Sequence, residues 1–201
     1  MFKNYIFDFG NVIVNFDTYY MTSLYVDTPE DIRLVESVLF DRLYWDRLDL
    51  GTISDTQLKE AACSRLPERL HQKAMQVYDN WHKNLPFTPK IVDLIDEIKQ
   101  RGGKLFLLSN ISTGFAQNYE QSPCLAELFS RFDGLVFSAP LGIVKPQPEI
   151  FEFLLDKYSL SASDTVFIDD SQKNILGAQN VGLSTFLFNG NVSKLREFLF
   201  K

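Results

Sequence analysis

Tyr5-Ile6-Phe7-Asp8-Phe9-Gly10-Asn11-Val12 places an aspartate at the end of a short apolar run and follows it with a small residue and an amide. A run this short, apolar at every position rather than at every second one, is the pattern of a strand buried on both faces. The pattern returns at Leu105–Leu108, Gly134–Phe137, Thr165–Ile168 and Thr185–Phe188, each followed by small or polar residues. Helical patterns lie between these runs. Thr88-Pro89 offers an N-cap and a first-turn proline, Ile91, Leu94, Ile95 and Ile98 form one apolar stripe, and Gly102-Gly103 stops it. The alternation predicts an α/β fold built on a doubly wound, Rossmann-like parallel sheet.

One interval breaks the alternation. About 70 residues separate the first strand from Pro86 without a convincing strand, far more than a crossover requires. Three helical patterns occupy it. Thr28-Pro29-Glu30-Asp31 reads as a capped start leading to Ile32, Val35, Leu39 and Leu43 on one face. Ser54-Asp55-Thr56-Gln57 matches a capping box ahead of Leu58 and Ala61. Leu70, Ala74, Val77 and Trp81 then recur at helical spacing. The expected organisation is a core of residues 1–15 and 87–201 with a small helical cap, residues 16–86, inserted over the carboxyl ends of the strands.

Composition narrows the function classes. The chain has 201 residues, of which 45% are hydrophobic and 23% charged, the balance of a globular domain. No stretch reaches the roughly 18 apolar residues of a membrane span, and the first apolar run is cut short by Asp8, unlike a signal peptide. A cytoplasmic location is the expectation. The net charge of −6 with scattered Lys and Arg argues against a nucleic-acid partner. Cys63 and Cys124 give neither a disulfide framework nor a metal spacing, and His71 and His82 lack neighbours arranged as zinc ligands. Oligomeric state is not readable.

Four polar groups stand at strand ends or helix starts: Asp8, Ser109-Asn110, Lys145 ahead of Pro146, and Asp169-Asp170. In a parallel sheet all converge on one edge. Three carboxylates make a hard oxygen cage suited to Mg²⁺. A lysine and a Ser-Asn pair remain to hold a phosphate by charge and hydrogen bonds. A carboxylate can attack phosphorus to give an aspartyl-phosphate, with a metal neutralising the repulsion between the two anions. The set favours phosphoryl transfer over acyl or hydride transfer.

These four segments, in order and spread over nearly the whole chain, resemble the four motifs of the haloacid dehalogenase superfamily, and the helical block resembles its small cap. Asp8-Phe9-Gly10-Asn11-Val12-Ile13-Val14, Leu108-Ser109-Asn110, Lys145-Pro146 and Phe167-Ile168-Asp169-Asp170 are most similar to the bacterial branch that includes an α-glucose-1-phosphate phosphatase. So are Gly51-Thr52-Ile53-Ser54-Asp55 and Ala162-Ser163-Asp164-Thr165-Val166-Phe167. The resemblance implies a Mg²⁺-dependent hydrolase acting on a small phosphorylated molecule. It makes Asp8 the nucleophile and a metal ligand, the Gly10 carbonyl a second ligand, and Asp169 and Asp170 the rest of the metal site, one of them directly. It assigns Ser109 and Asn110 to the phosphoryl group and Lys145 to its charge.

The chain departs from the superfamily's phosphatases at Gly10, where a second aspartate ordinarily serves as general acid and base. Glycine has no group for that work, and Asn11 is not an acid. A sugar-1-phosphate, with its better leaving group, needs an enzymic acid less, which makes a hexose-1-phosphate an expected substrate. Asp17, near the cap hinge, is a candidate replacement. Two other classes stay open: a hydrolytic dehalogenase, which needs no metal and leaves Asp169-Asp170 unused, and a non-catalytic metabolite-binding protein, supported by Gly10 alone. Trp45 and Trp81 are expected to pack in the cap core rather than line a pocket.

Overall fold

The buried runs become a five-stranded sheet in which every neighbouring pair is parallel. In the computed structural model, which describes residues 2–83 and 85–201, the strands are β1 (Asn4–Phe7), β2 (Lys104–Ser109), β3 (Gly134–Phe137), β4 (Thr165–Asp169) and β5 (Ser184–Leu187). Their order is β3-β2-β1-β4-β5. The chain starts in the middle, steps out to β2 and β3, then returns to the other side of β1. That reversal opens a crevice at the carboxyl ends of β1 and β4, where sheets of this type bind ligands.

Side chains alternate across the sheet, so each strand feeds both layers. Tyr5, Phe7, Leu105, Leu107, Val166 and Ile168 pack on one face with α6 (Ile91–Gln100), α8 (Pro123–Phe129) and α11 (Val192–Leu199). Ile6, Phe106, Leu108 and Phe167 pack on the other with α9 (Pro148–Tyr158) and α10 (Gln172–Asn180). A short helix, α7 (Thr113–Asn118), follows β2. The doubly wound α/β sheet is the predicted fold. Its fifth strand differs in character: β5 is an edge strand and only partly buried, with Phe188 entering the core just beyond it. The start of α6 also differs. Lys90, in the left-handed conformation (φ 64°), precedes the helix without a side-chain cap, and Thr88 contributes its carbonyl to the Ile91 N–H at 3.1 Å.

Over residues 16–86 the chain folds α1 (Thr18–Ser23), α2 (Pro29–Leu39), α3 (Arg42–Asp49), α4 (Asp55–Arg65) and α5 (Glu68–Asn80), five α-helices among the described residues where three patterns were expected. Ile32, Val35 and Leu39 form the buried stripe of α2, but Leu43 does not continue it. Asp41 accepts the Leu43 N–H at 3.0 Å and starts a new helix, which turns Leu43 to solvent and buries Trp45 and Leu48 instead. The Ser54–Gln57 capping box forms as predicted, with Leu58 and Ala62, rather than Ala61, facing inward. Leu70, Ala74, Val77 and Trp81 are all buried.

Two contacts fasten this insertion to the sheet. Asp55 accepts from the Tyr78 hydroxyl (2.7 Å), the Ser112 hydroxyl (3.1 Å) and the Gly114 N–H (3.1 Å). Ser138, fully buried after β3, donates its hydroxyl to the Asp49 carbonyl (2.6 Å) and accepts from the Ile111 N–H (2.9 Å). Gly51 beside it (φ 76°) lies so close to the Ala139 carbonyl that any Cβ would collide with it. Among the described residues no helix is long and apolar enough to cross a membrane.

Candidate active site

β1 and β4 run side by side, and their ends deliver Asp8 and Asp169 to either side of Lys145. The lysine Nζ lies 2.7 Å from Asp8 Oδ1 and 2.8 Å from Asp169 Oδ2. Its side chain is 1% exposed. Burial opposes its charge, but the Asp169 and Asp8 carboxylates outweigh burial and hold its pKa above the usual lysine value. Burial pushes the Asp8 carboxyl up; Lys145 opposes the rise and the neighbouring Asp169 adds to it. Asp8 also accepts the Phe9 N–H at 2.7 Å.

Asp169 is committed on every side. Besides Lys145 it accepts the Ser171 N–H (2.8 Å) and both of its oxygens take the Asn174 amide (3.0 Å each). Asn174, in the first turn of α10, was not anticipated from sequence; its signal was an amide one helical turn beyond a strand-end carboxylate. Asp170 is exposed and lines the crevice. Burial and Asp169 raise its pKa, and a hydrogen bond from Asn11 together with Lys145 oppose the rise. Asn11 itself sits in the left-handed region (φ 56°), where asparagine is tolerated, and takes the Phe16 N–H on its side-chain oxygen at 3.1 Å.

Ser109 and Asn110 divide their tasks. Ser109 is buried, lines the crevice and has no hydrogen-bonding partner for its hydroxyl among the described residues. The Asn110 side chain instead clamps the lysine loop: its amide donates to the Lys145 carbonyl (3.0 Å) and its oxygen accepts the Lys145 N–H (2.8 Å). Gly10 lines the crevice with no side chain, and a Cβ there would meet only Phe16 Cβ at 3.8 Å. Asp17 does not join the site. It is exposed and caps α1, accepting the Tyr20 N–H at 2.8 Å.

The crevice has a volume of about 470 Å³ and its far wall comes from the helical insertion. Phe16, Trp45 and Trp81 form an aromatic group there, with ring centroids 5.6–6.1 Å apart, so the two tryptophans pack as core residues and line the crevice as well. Arg42 and Asp46, ion-paired one turn apart on α3, stand in the same wall. Asp49, the last residue of α3, is the remaining acid there. It is only 6% exposed and was missed from sequence, where its one signal was an acid between Leu48 and Leu50 at a helix C-terminus, a position the helix dipole disfavours.

Asp8, Asp169 and Asp170 each offer an oxygen, all within 4.8 Å of one another. One ammonium does not balance three converging carboxylates, and an all-oxygen donor set with an exposed member suits a hydrated hard dication. The donor set fits Mg²⁺, the cofactor of this class of site.

A parallel sheet of this order, with a strand-end aspartate, a buried lysine and paired carboxylates at one edge, is the frame of a hydrolase. The chain belongs to the haloacid dehalogenase-like hydrolases, whose family model matches residues 2–182. It is 27% identical over 200 residues to a D-ribitol-5-phosphate phosphatase of Bacteroides thetaiotaomicron, a match covering 92% of this chain and 91% of that one. It is 38% identical over 73 residues to the bifunctional epoxide hydrolase 2 of Mus musculus, covering 36% of this chain and 13% of the larger protein. In fold it is similar to a haloacid dehalogenase family enzyme from Bacteroides thetaiotaomicron solved with magnesium and inorganic phosphate (TM-score 0.70, 19% identity, covering 97% and 99% of the two chains).

Proposed function

We propose that this hydrolase is a magnesium-dependent phosphatase of a small phosphorylated metabolite, a sugar or polyol phosphate such as a hexose-1-phosphate, acting through an aspartyl-phosphate on Asp8. The observation that carries the reading is the buried Lys145, held between Asp8 and Asp169 with Asp170 beside them. Asp8 attacks phosphorus. The Ser109 hydroxyl, free on the crevice side, and the Asn110 backbone receive the phosphoryl oxygens, and Lys145 neutralises charge on them. Asp8, the Gly10 carbonyl and Asp170 would hold the metal, and Asp169, committed to Lys145, would complete the site. The bound cation supplies charge neutralisation between nucleophile and phosphate. Residues 16–86 act as a cap over the core of 1–15 and 87–201, excluding water from the reaction.

The aromatic wall of Phe16, Trp45 and Trp81 suits the apolar face of a sugar or polyol. The D-ribitol-5-phosphate phosphatase named above supports a polyol phosphate as well as a sugar phosphate. Displacement at carbon, as in a dehalogenase, needs no metal and leaves Asp170 without work. The test is phosphate release from a panel of sugar and polyol phosphates with Mg²⁺, with a chelator, and with Asp8→Asn. Turnover is expected with Mg²⁺ only and is expected to vanish in the variant. No release from any substrate by folded protein in Mg²⁺ overturns the reading.

A further inference from the structure

The hydrolysis of a phosphate ester needs a proton for the departing oxygen, and position 10 carries no group to give one. Asp49 lies across the crevice. It is one of the residues that line the cleft holding Asp8 and Lys145, is only 6% exposed, and its carboxyl has no hydrogen-bond or ion-pair partner among the described residues. Its oxygens keep some exposure rather than being sealed in the core, and they sit at the negative end of a helix, where a carboxylate is disfavoured. Its backbone, by contrast, is rigidly fixed: the buried Ser138 hydroxyl grips the Asp49 carbonyl and Gly51 is wedged on Ala139. A fixed backbone carrying an unsatisfied acid into a reaction cleft is a group prepared for a ligand.

We propose that Asp49 is the general acid and base of this site, replacing from the helical insertion the residue missing at Gly10. The proposal deepens the phosphatase reading and rests on it. In the first half-reaction an Asp8 oxygen bonds to phosphorus and the bond from phosphorus to the ester oxygen breaks with its electron pair on that oxygen. The Asp49 carboxyl proton passes to it, and the alcohol leaves. In the second, Asp49 as carboxylate takes a proton from the water that attacks the aspartyl-phosphate. The bond from phosphorus to Asp8 breaks, phosphate is released, and Asp49 is an acid again.

The surroundings suit that cycle. Burial raises the Asp49 pKa to about 7, with Arg42 opposing, Asp46 adding, Lys145 opposing and Asp8 adding. Tyr78 on α5 is the further titratable group that senses this carboxyl. A group balanced near neutrality can give and take a proton in successive steps. A donor in the insertion also joins chemistry to closure, since the acid is in place only when the insertion sits on the sheet.

The experiment compares Asp49→Asn with wild type, both with Mg²⁺, on two esters: p-nitrophenyl phosphate, whose phenolate leaves without help, and a primary-alcohol sugar phosphate, whose alkoxide does not. With a general acid removed, kcat/KM is expected to fall about 100-fold or more on the sugar phosphate and no more than about tenfold on the aryl ester. The alkaline limb of the wild-type pH–rate profile on the sugar phosphate is expected to disappear. Adding Gly10→Asp to Asp49→Asn is expected to recover part of the lost rate. Equal losses on the two esters, or an unchanged pH profile, overturn the proposal while the phosphatase reading stands. Absence of wild-type turnover on both esters and on every member of the sugar and polyol phosphate panel overturns both together. Aryl ester turnover by Asp49→Asn also reports that the variant is folded.

Discussion

The two walls of the crevice are built on opposite principles. On the sheet side the buried charges hold one another: Lys145 bridges Asp8 and Asp169, and Asn174 and Ser171 take the remaining Asp169 oxygen. On the insertion side the Asp49 carboxyl has no partner among the described residues, and it shares the wall with Arg42, Asp46 and the Phe16, Trp45 and Trp81 rings. A saturated network is stiff and resists change, because removing a member leaves buried charges bare. An unsatisfied group waits for something to arrive. The comparison separates the half of the site that holds its own shape from the half that the substrate completes.

The largest effect is expected on the saturated side. Lys145→Met leaves Asp8 and Asp169 facing one another without a cation, which is expected to cost about 3–5 kcal/mol of stability. Turnover is expected to fall about 100-fold or more, since the charge on the transferring group loses its partner. Denaturant unfolding with and without Mg²⁺ checks the first part: the dication should recover a portion of the lost stability. A variant as stable as wild type in chelator would show that the three groups do not form one network.

The unsatisfied side should respond in the opposite direction. Asp49 ordinarily titrates near 3.8, and in the fold its pKa is raised to about 7. Between those values the folded chain holds a proton that the unfolded chain has released, so stability falls as pH rises through this window and stays low above it. Asp49→Asn abolishes that loss. The variant is expected to be more stable than wild type at pH 8, by a few kcal/mol from a shift of this size. The difference is expected to disappear by pH 3. Chemical unfolding at the two pH values measures it. A variant that gains stability while losing activity marks a residue kept for chemistry; one that loses stability at pH 8 would make Asp49 a structural group.

The same contrast explains what could be read from the sequence. Asp8, Ser109, Lys145 and Asp169 each stand at the end of a buried run or just before a helix, so strand pattern alone sends them to one edge of the sheet. The five strands were legible for that reason, with β5 less buried than its pattern because nothing pairs beyond an edge. The insertion was legible as helix but not in detail. Asp41 as a new cap, and hence the outward turn of Leu43, depends on one side-chain hydrogen bond. Asp49 is placed at the site by a tie from Ser138, 89 residues away, and the insertion is fastened again by Asp55 to Ser112, 57 residues away. Contacts at such separations leave no periodic trace. Asp17 fits the same lesson: near the hinge in sequence, it is spent on a helix cap.

The smallest expected effect bears on why the acid is displaced at all. If the turn after β1 needed glycine at position 10, the missing acid would be a consequence of folding. The backbone says otherwise. Gly10 is outside the left-handed region that favours glycine, and the nearest atom to a new Cβ is Phe16 Cβ at an ordinary 3.8 Å. Gly10→Ala should therefore leave stability unchanged or raise it by up to about 1 kcal/mol, through the reduced freedom of the unfolded chain. A thermal or denaturant melt decides this. Destabilisation beyond that range would make the glycine a requirement of the turn and remove the room that Gly10→Asp needs. A neutral outcome leaves the position free to carry a side chain, so its emptiness belongs to the chemistry, and the proton must be sought across the crevice, where the one unpartnered buried acid among the residues lining it is Asp49.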